Sequence, residues 1–142
     1  MQIGMTEPAI FDETREVNPL LLAYLGDAVY ELYVRCKLVT GGNIRPNEVH
    51  QEAVKFVSAP AQARVLREVE SLLTEEEWDI LRRGRNAKSG SIPKNAKPSE
   101  YRYATGLEAL VGHWYLTGRT DRLTEMMTKM IHALEEGESR GE

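Results

Sequence analysis

Apolar residues recur every three or four positions along most of the chain, and nowhere do they alternate long enough to commit to a strand. The pattern predicts an all-α domain of about six or seven helices. Asn18-Pro19, a cap residue followed by proline at the first helical position, opens the most apolar run, which stops at Gly41-Gly42. Residues 18–40 are apolar nearly all round, so this first helix is expected to be largely buried. Asn43–Asn47, with Pro46, reads as a turn. Val49, Ala53, Phe56 and Val57 share one face of a helix over 48–57. Ser58-Ala59-Pro60 caps another, with Ala63, Leu66, Val69 and Leu73 inward.

Thr74 to Glu77 has the form of a capping box, with acids in the first turn where the helix dipole favours them. It opens a short helix carrying Trp78, Ile80 and Leu81. Gly84–Pro98 reads as a loop. A second strongly apolar helix runs from a Ser99 cap to Leu116, and Thr120-Asp121 caps the last, with Met126, Met127, Met130 and Leu134 inward. Residues 1–17 form a lead-in and 137–142 a polar tail, which leaves one domain over 1–136.

Two carboxylates break this pattern. Asp27 sits in the first apolar helix, where burial without a partner costs several kcal/mol, roughly, and its neighbour Gly26 costs about 1 kcal/mol relative to alanine. Adjacent destabilising choices point to close backbone packing beside a charge kept for use. Glu108 repeats the oddity amid Leu107, Ala109, Leu110 and Val111, with Gly106 and Gly112 permitting close helix approach. Two such carboxylates facing one cleft repel unless a cation lies between them, and a hard divalent ion with its own waters suits them.

Composition narrows the class. The chain has 142 residues, 42% hydrophobic and 28% charged, which fits one soluble globular domain. Asp27 and Glu31 interrupt the longest apolar run, so no membrane span is expected, and the N-terminus lacks the pattern of a secretory signal. The single cysteine, Cys36, reads as a small core residue. These features favour the cytoplasm. Net charge is −4, yet residues 82–97 hold six basic residues and no acid, so the remainder carries −10. That basic segment is a candidate phosphate-binding surface. His50, His113 and His132 have no zinc-ligand spacing, and no Walker pattern occurs.

Each feature has a plain structural explanation. Asp27 could pair with an arginine, Glu108 with Arg102 or His113, and charged loops are usually just solvated. The conjunction favours chemistry: carboxylates that can hold Mg²⁺ beside a loop rich in Lys and Arg match the needs of phosphodiester hydrolysis.

Three segments carry a resemblance. Tyr24-Leu-Gly-Asp-Ala-Val-Tyr-Glu31 resembles the signature helix of the ribonuclease III family. The segment 101–112 around Glu108 resembles its second catalytic helix, and Arg83–Asn95 lies between them in the expected order. The likeness is to the short form that consists of the catalytic domain alone. It implies an all-α ribonuclease III-type fold and a homodimer that cuts double-stranded RNA with Mg²⁺, leaving 5′-phosphate ends. It further implies Asp27 and Glu108 as catalytic and metal-binding residues, and Arg83, Arg85, Lys88 and Lys94 as the groups that hold RNA phosphates. Precursor large-subunit ribosomal RNA is the implied substrate, with a ribosomal protein as helper. Longer relatives carry further carboxylates four residues before the aspartate and three before the glutamate; here Ala23 and Thr105 stand there. That implies more water around the metal and leaves the metal count open. A non-catalytic duplex-RNA-binding module, or a helical interaction domain with an Asp27–arginine pair, are the competing readings.

Overall fold

The computed structural model describes residues 16–88 and 90–139, all helix, turn or loop. Among the described residues six α-helices follow in order: α1 Pro19–Thr40, α2 Val49–Val57, α3 Ala59–Val69, α4 Glu75–Asn86, α5 Pro98–Leu116 and α6 Thr120–Ser139, with a 3₁₀ turn at Glu70–Leu72. The expected all-α architecture is the one observed. The lead-in at 1–15 and the end of the polar tail, 140–142, lie outside the described residues.

Local chemistry sets the helix starts. Asn18 Oδ1 accepts from the Leu20 N–H at 2.8 Å, with Pro19 in the first turn of α1. Ser58 Oγ accepts from the Ala61 N–H at 3.3 Å and starts α3. At α4 both halves of the capping box form: Thr74 Oγ1 accepts from the Glu77 N–H, and Glu77 Oε1 accepts from the Thr74 N–H. Helix α5 differs from expectation. It begins at Pro98 after Lys97, with no side-chain cap, so Ser99 lies inside the first turn.

Helix α5 is the spine. It packs along α1, α4, α3 and α6, and its Leu107, Ala109, Leu110, Val111 and Trp114 are buried. The remaining core comes from α1, α3, α4 and the methionine-rich face of α6. Two corrections follow. Helix α4 continues through Gly84 to Asn86, so the loop starts later than the glycine suggests. Helix α6 likewise runs through Gly137 to Ser139.

The larger correction concerns α1. Leu22, Gly26, Val29, Tyr30, Tyr33, Val34 and Leu38 are buried, but the opposite side is bare: Leu21 is 62% exposed, Tyr24 81% and Val39 76%. Exposed Ala28 and half-buried Leu25 and Leu32 continue that stripe along the helix. The all-round apolarity of α1 thus serves the core on one side and an uncovered face on the other. Asp27 borders that face and is itself exposed, which overturns its expected burial.

Candidate active site

The site begins at a crossing of main chains. A Cβ placed on Gly26 would run into the carbonyl of Glu108, and one on Gly112 into the carbonyl of Leu22. Each glycine lets the facing helix touch backbone, as the sequence around Asp27 and Glu108 anticipates. Asp27 follows Gly26 and Glu108 precedes Gly112 by one turn, so the crossing brings the two side chains together. A second crossing lies nearly two turns earlier on α5. A Cβ on Gly106 would lie 2.7 Å from the Leu81 carbonyl, and one on Gly84 would lie 3.0 Å from Gly106 Cα. Helix α5 is therefore seated between α1 and α4 by glycine contacts on two sides.

Asp27 and Glu108 are hydrogen-bonded to each other. Burial, reinforced by that bond and by the charge of Asp27, pushes the Glu108 carboxyl up to about 9. With no cation present, the Glu108 carboxyl therefore keeps its proton near neutral pH. Glu31, one turn along α1, adds a further repulsive charge while pairing with Arg35 at 3.4 Å. Among the described residues no arginine pairs with Asp27, which removes the plain structural explanation for it. Tyr30 lies beneath: burial, then the Glu108 charge, holds its phenol well above the ordinary range, and its hydroxyl donates to the Phe56 carbonyl at 2.9 Å.

One participant escaped the sequence reading. Gln62 on α3 is 1% exposed, and its Nε2 lies 3.5 Å from Glu108 Oε2. Gln62, Leu66 and Val69 are spaced i, i+4, i+7, so an amide occupies an apolar register position. That was the available signal.

The donor set suits a hard, hydrated cation. Two carboxylates meet, one of them exposed, which leaves room for water ligands of the kind Mg²⁺ retains. Among the described residues no cluster of three or more His, Cys, Asp or Glu side chains could form a ready-made cage. Ala23 is buried, and the Thr105 hydroxyl donates to the Tyr101 carbonyl at 3.0 Å. Neither position supplies a further carboxylate.

The basic residues divide. Arg83 and Arg85 belong to the last turn of α4, and the Arg85 guanidinium stacks over the Tyr103 ring of α5 at 5.6 Å. Lys88 and Lys94 are exposed on the loop between α4 and α5. The Gly84–Gly106 crossing docks the end of α4 against α5 at Thr105, Gly106 and Ala109, the stretch of α5 that also carries Glu108.

A fully buried carboxylate elsewhere has the opposite environment. Glu77 accepts from Trp114 Nε1 at 2.8 Å and from Arg122 Nε and Nη2 at 2.9 and 2.8 Å. Burial alone would raise it, but the hydrogen bonds from Arg122, the Thr74 backbone and Trp114 outweigh that and hold it down to about 2. This is a saturated structural pair, and it ties α4, α5 and α6 together.

Comparison with known proteins agrees with this architecture. The family described as Ribonuclease III domain matches residues 20–119. The chain is 48% identical over 120 residues to the Mini-ribonuclease 3 of Symbiobacterium thermophilum, covering 84% of this chain and 92% of that protein. It is 49% identical over 122 residues to the Mini-ribonuclease 3 of Brevibacillus brevis, covering 86% and 90% respectively. A crystal structure of a Fusobacterium nucleatum protein superposes with a TM-score of 0.74 at 28% identity, covering 84% of this chain and 95% of that one.

Proposed function

Since the chain belongs to the ribonuclease III family, resembles its Mini-ribonuclease 3 members and is an endoribonuclease, we propose that it hydrolyses double-stranded RNA with Mg²⁺ held by Asp27 and Glu108. The observation that carries this reading is the Gly26–Gly112 crossing, which brings two carboxylates together with no cationic side chain paired to them among the described residues. Asp27, on the exposed side, meets the solvent from which the attacking water comes. Glu108, half-buried and fixed by the helix crossing, anchors the other side of the site. When bound, the metal supplies an activated water and charge neutralisation at the phosphate. Arg83, Arg85, Lys88 and Lys94 hold neighbouring phosphates, and A-form RNA is selected by its shape and 2′-hydroxyls.

The bare face of α1 supports a homodimer. Leu21, Tyr24, Ala28 and Val39 offer a continuous apolar stripe that a second copy's stripe would cover, placing one carboxylate pair on each side of the interface. Processing of precursor large-subunit ribosomal RNA in the cytoplasm, assisted by a ribosomal protein, is the finer reading that the resemblance carries. No described helix is long and apolar enough to cross a membrane.

Asp27→Asn tests the reading. The variant should fold and bind duplex RNA yet cut it at least about 100-fold more slowly. Cleavage at the unmodified rate would refute the assignment, and wild-type protein that binds duplex RNA without cutting it under any Mg²⁺ concentration would favour a non-catalytic binding module.

A further inference from the structure

We infer that Gln62 is a positioning residue for the reaction proposed above: its buried amide orients the Glu108 carboxylate for the cation without neutralising it. The inference rests on that proposed function for its catalytic half. Its structural half rests on the amide's place in the fold.

Among the described residues Gln62 is one of three buried polar or charged side chains, with Glu77 and His113. Helix α3 delivers it from a start fixed by Ser58 and Pro60, between buried Ala61 and Ala63. A glutamine in an apolar register position gives up hydration, and burial of an amide is costly unless a partner compensates. Its Nε2 faces Glu108 Oε2 at 3.5 Å, and an N–H is the end of the amide that a carboxylate attracts.

The choice of a neutral donor is informative beside Glu77. There the partner is a guanidinium, with an indole N–H and a backbone N–H besides, and the carboxylate is electrostatically complete. A cation would find little there to bind. At Glu108 the donor is an amide and the charged groups that act on it, Asp27 and Glu31, are acidic, so a hydrogen bond is supplied without a compensating positive charge. Within one molecule, the same residue type is built once as a closed pair and once as an open one. Gln62 also gives Glu108 a side-chain partner in a site that lacks the carboxylates Ala23 and Thr105 replace. An amide from a third helix does what additional ligands would otherwise do.

The test compares wild type with Gln62→Met, close in size and apolar, and Gln62→Asn, which keeps the amide but shortens its reach. Mn²⁺ affinity is measured on the protein alone from the free-ion electron paramagnetic resonance signal. Duplex-RNA affinity without divalent metal, single-turnover cleavage and the thermal midpoint are measured alongside. We expect Gln62→Met to lose about 10- to 100-fold in Mn²⁺ affinity and in cleavage rate, the range seen when a group that orients a metal ligand is removed. RNA affinity and thermal midpoint should stay near those of wild type. Gln62→Asn should lose Mn²⁺ affinity too, and it supplies the answer if the methionine variant does not fold. A folded variant that binds Mn²⁺ as wild type does overturns the inference, whatever its activity. If Asp27→Asn abolishes cutting while Gln62→Met is unaffected, the proposed function stands and Gln62 is merely a core amide. If wild type binds Mn²⁺ through this site but never cuts RNA, the proposed function fails and the affinity comparison still decides the role of Gln62.

Discussion

Replacing Glu77 with glutamine removes one charge from the pair that links α4 to α6 and leaves the shape intact. A glutamate carboxyl held from 4.5 down to about 2 corresponds to about 3 kcal/mol of stabilisation at neutral pH. The residue is 3% exposed, so solvent screening takes little of it away. For a domain whose whole stability is on the order of 5–15 kcal/mol, that is a large share. Because the folded-state carboxyl is depressed, the contribution is complete above the ordinary carboxyl range and is lost as pH falls through about 2. Between pH 7 and pH 3.5 the wild type should therefore give up about 1.4 kcal/mol of it. Urea unfolding followed by tryptophan fluorescence reads this directly, since Trp114 donates to the same carboxylate. The expected gap between wild type and Glu77→Gln is about 3 kcal/mol at pH 7 and about 2 kcal/mol at pH 3.5. A gap under about 1 kcal/mol at pH 7, or one that does not narrow with acid, would refute the reasoning.

Three further perturbations probe the site and its surroundings. Gly26→Ala drives a methyl into the Glu108 carbonyl, so it should lose more than the roughly 1–3 kcal/mol of ordinary overpacking and most cleavage activity; a wild-type melting curve would show the crossing to be looser than described. Tyr24→Glu places a charge on the bare α1 stripe and should convert a dimer to a monomer by sedimentation velocity, whereas an unchanged dimer would locate the interface elsewhere. Alanine at both Arg85 and Lys88 should weaken duplex-RNA binding and reduce the slope of log K against log salt by about 2, and an unchanged slope counts against phosphate contact.

Local signals carried the helices well. Asn18-Pro19, Ser58 and the Thr74–Glu77 box mark helix starts because each satisfies exposed N–H groups within a few residues. The meeting of Asp27 and Glu108 was legible as well, since a glycine beside a carboxylate in an apolar helix has few other uses. Gly84 misled because a lone glycine lowers helix propensity, and only its contact with Gly106, distant in sequence, shows why the helix tolerates it. The Glu77–Arg122 pair spans 45 residues and is invisible to any local pattern. The exposure of Asp27 is hidden from the sequence for a related reason. Apolar residues on all sides of a helix cannot reveal whether they meet the chain's own core or a surface left for another molecule.

The contact of α1 with α5 through main-chain atoms separates two things that proteins usually couple. Where helices meet through side chains, each exchange of Leu for Ile or Val moves the axes by fractions of an ångström, and anything mounted on them moves too. Here glycine meets carbonyl, and the spacing between the Asp27 and Glu108 backbones has no side-chain shim to vary. The core beneath can be rewritten with other apolar residues while the carboxylates keep their separation. The same rigidity closes off adjustment: this pair cannot be drawn together or apart by small repacking. What remains variable is the surroundings, meaning the amide behind Glu108, the positions of Ala23 and Thr105, and the water around Asp27.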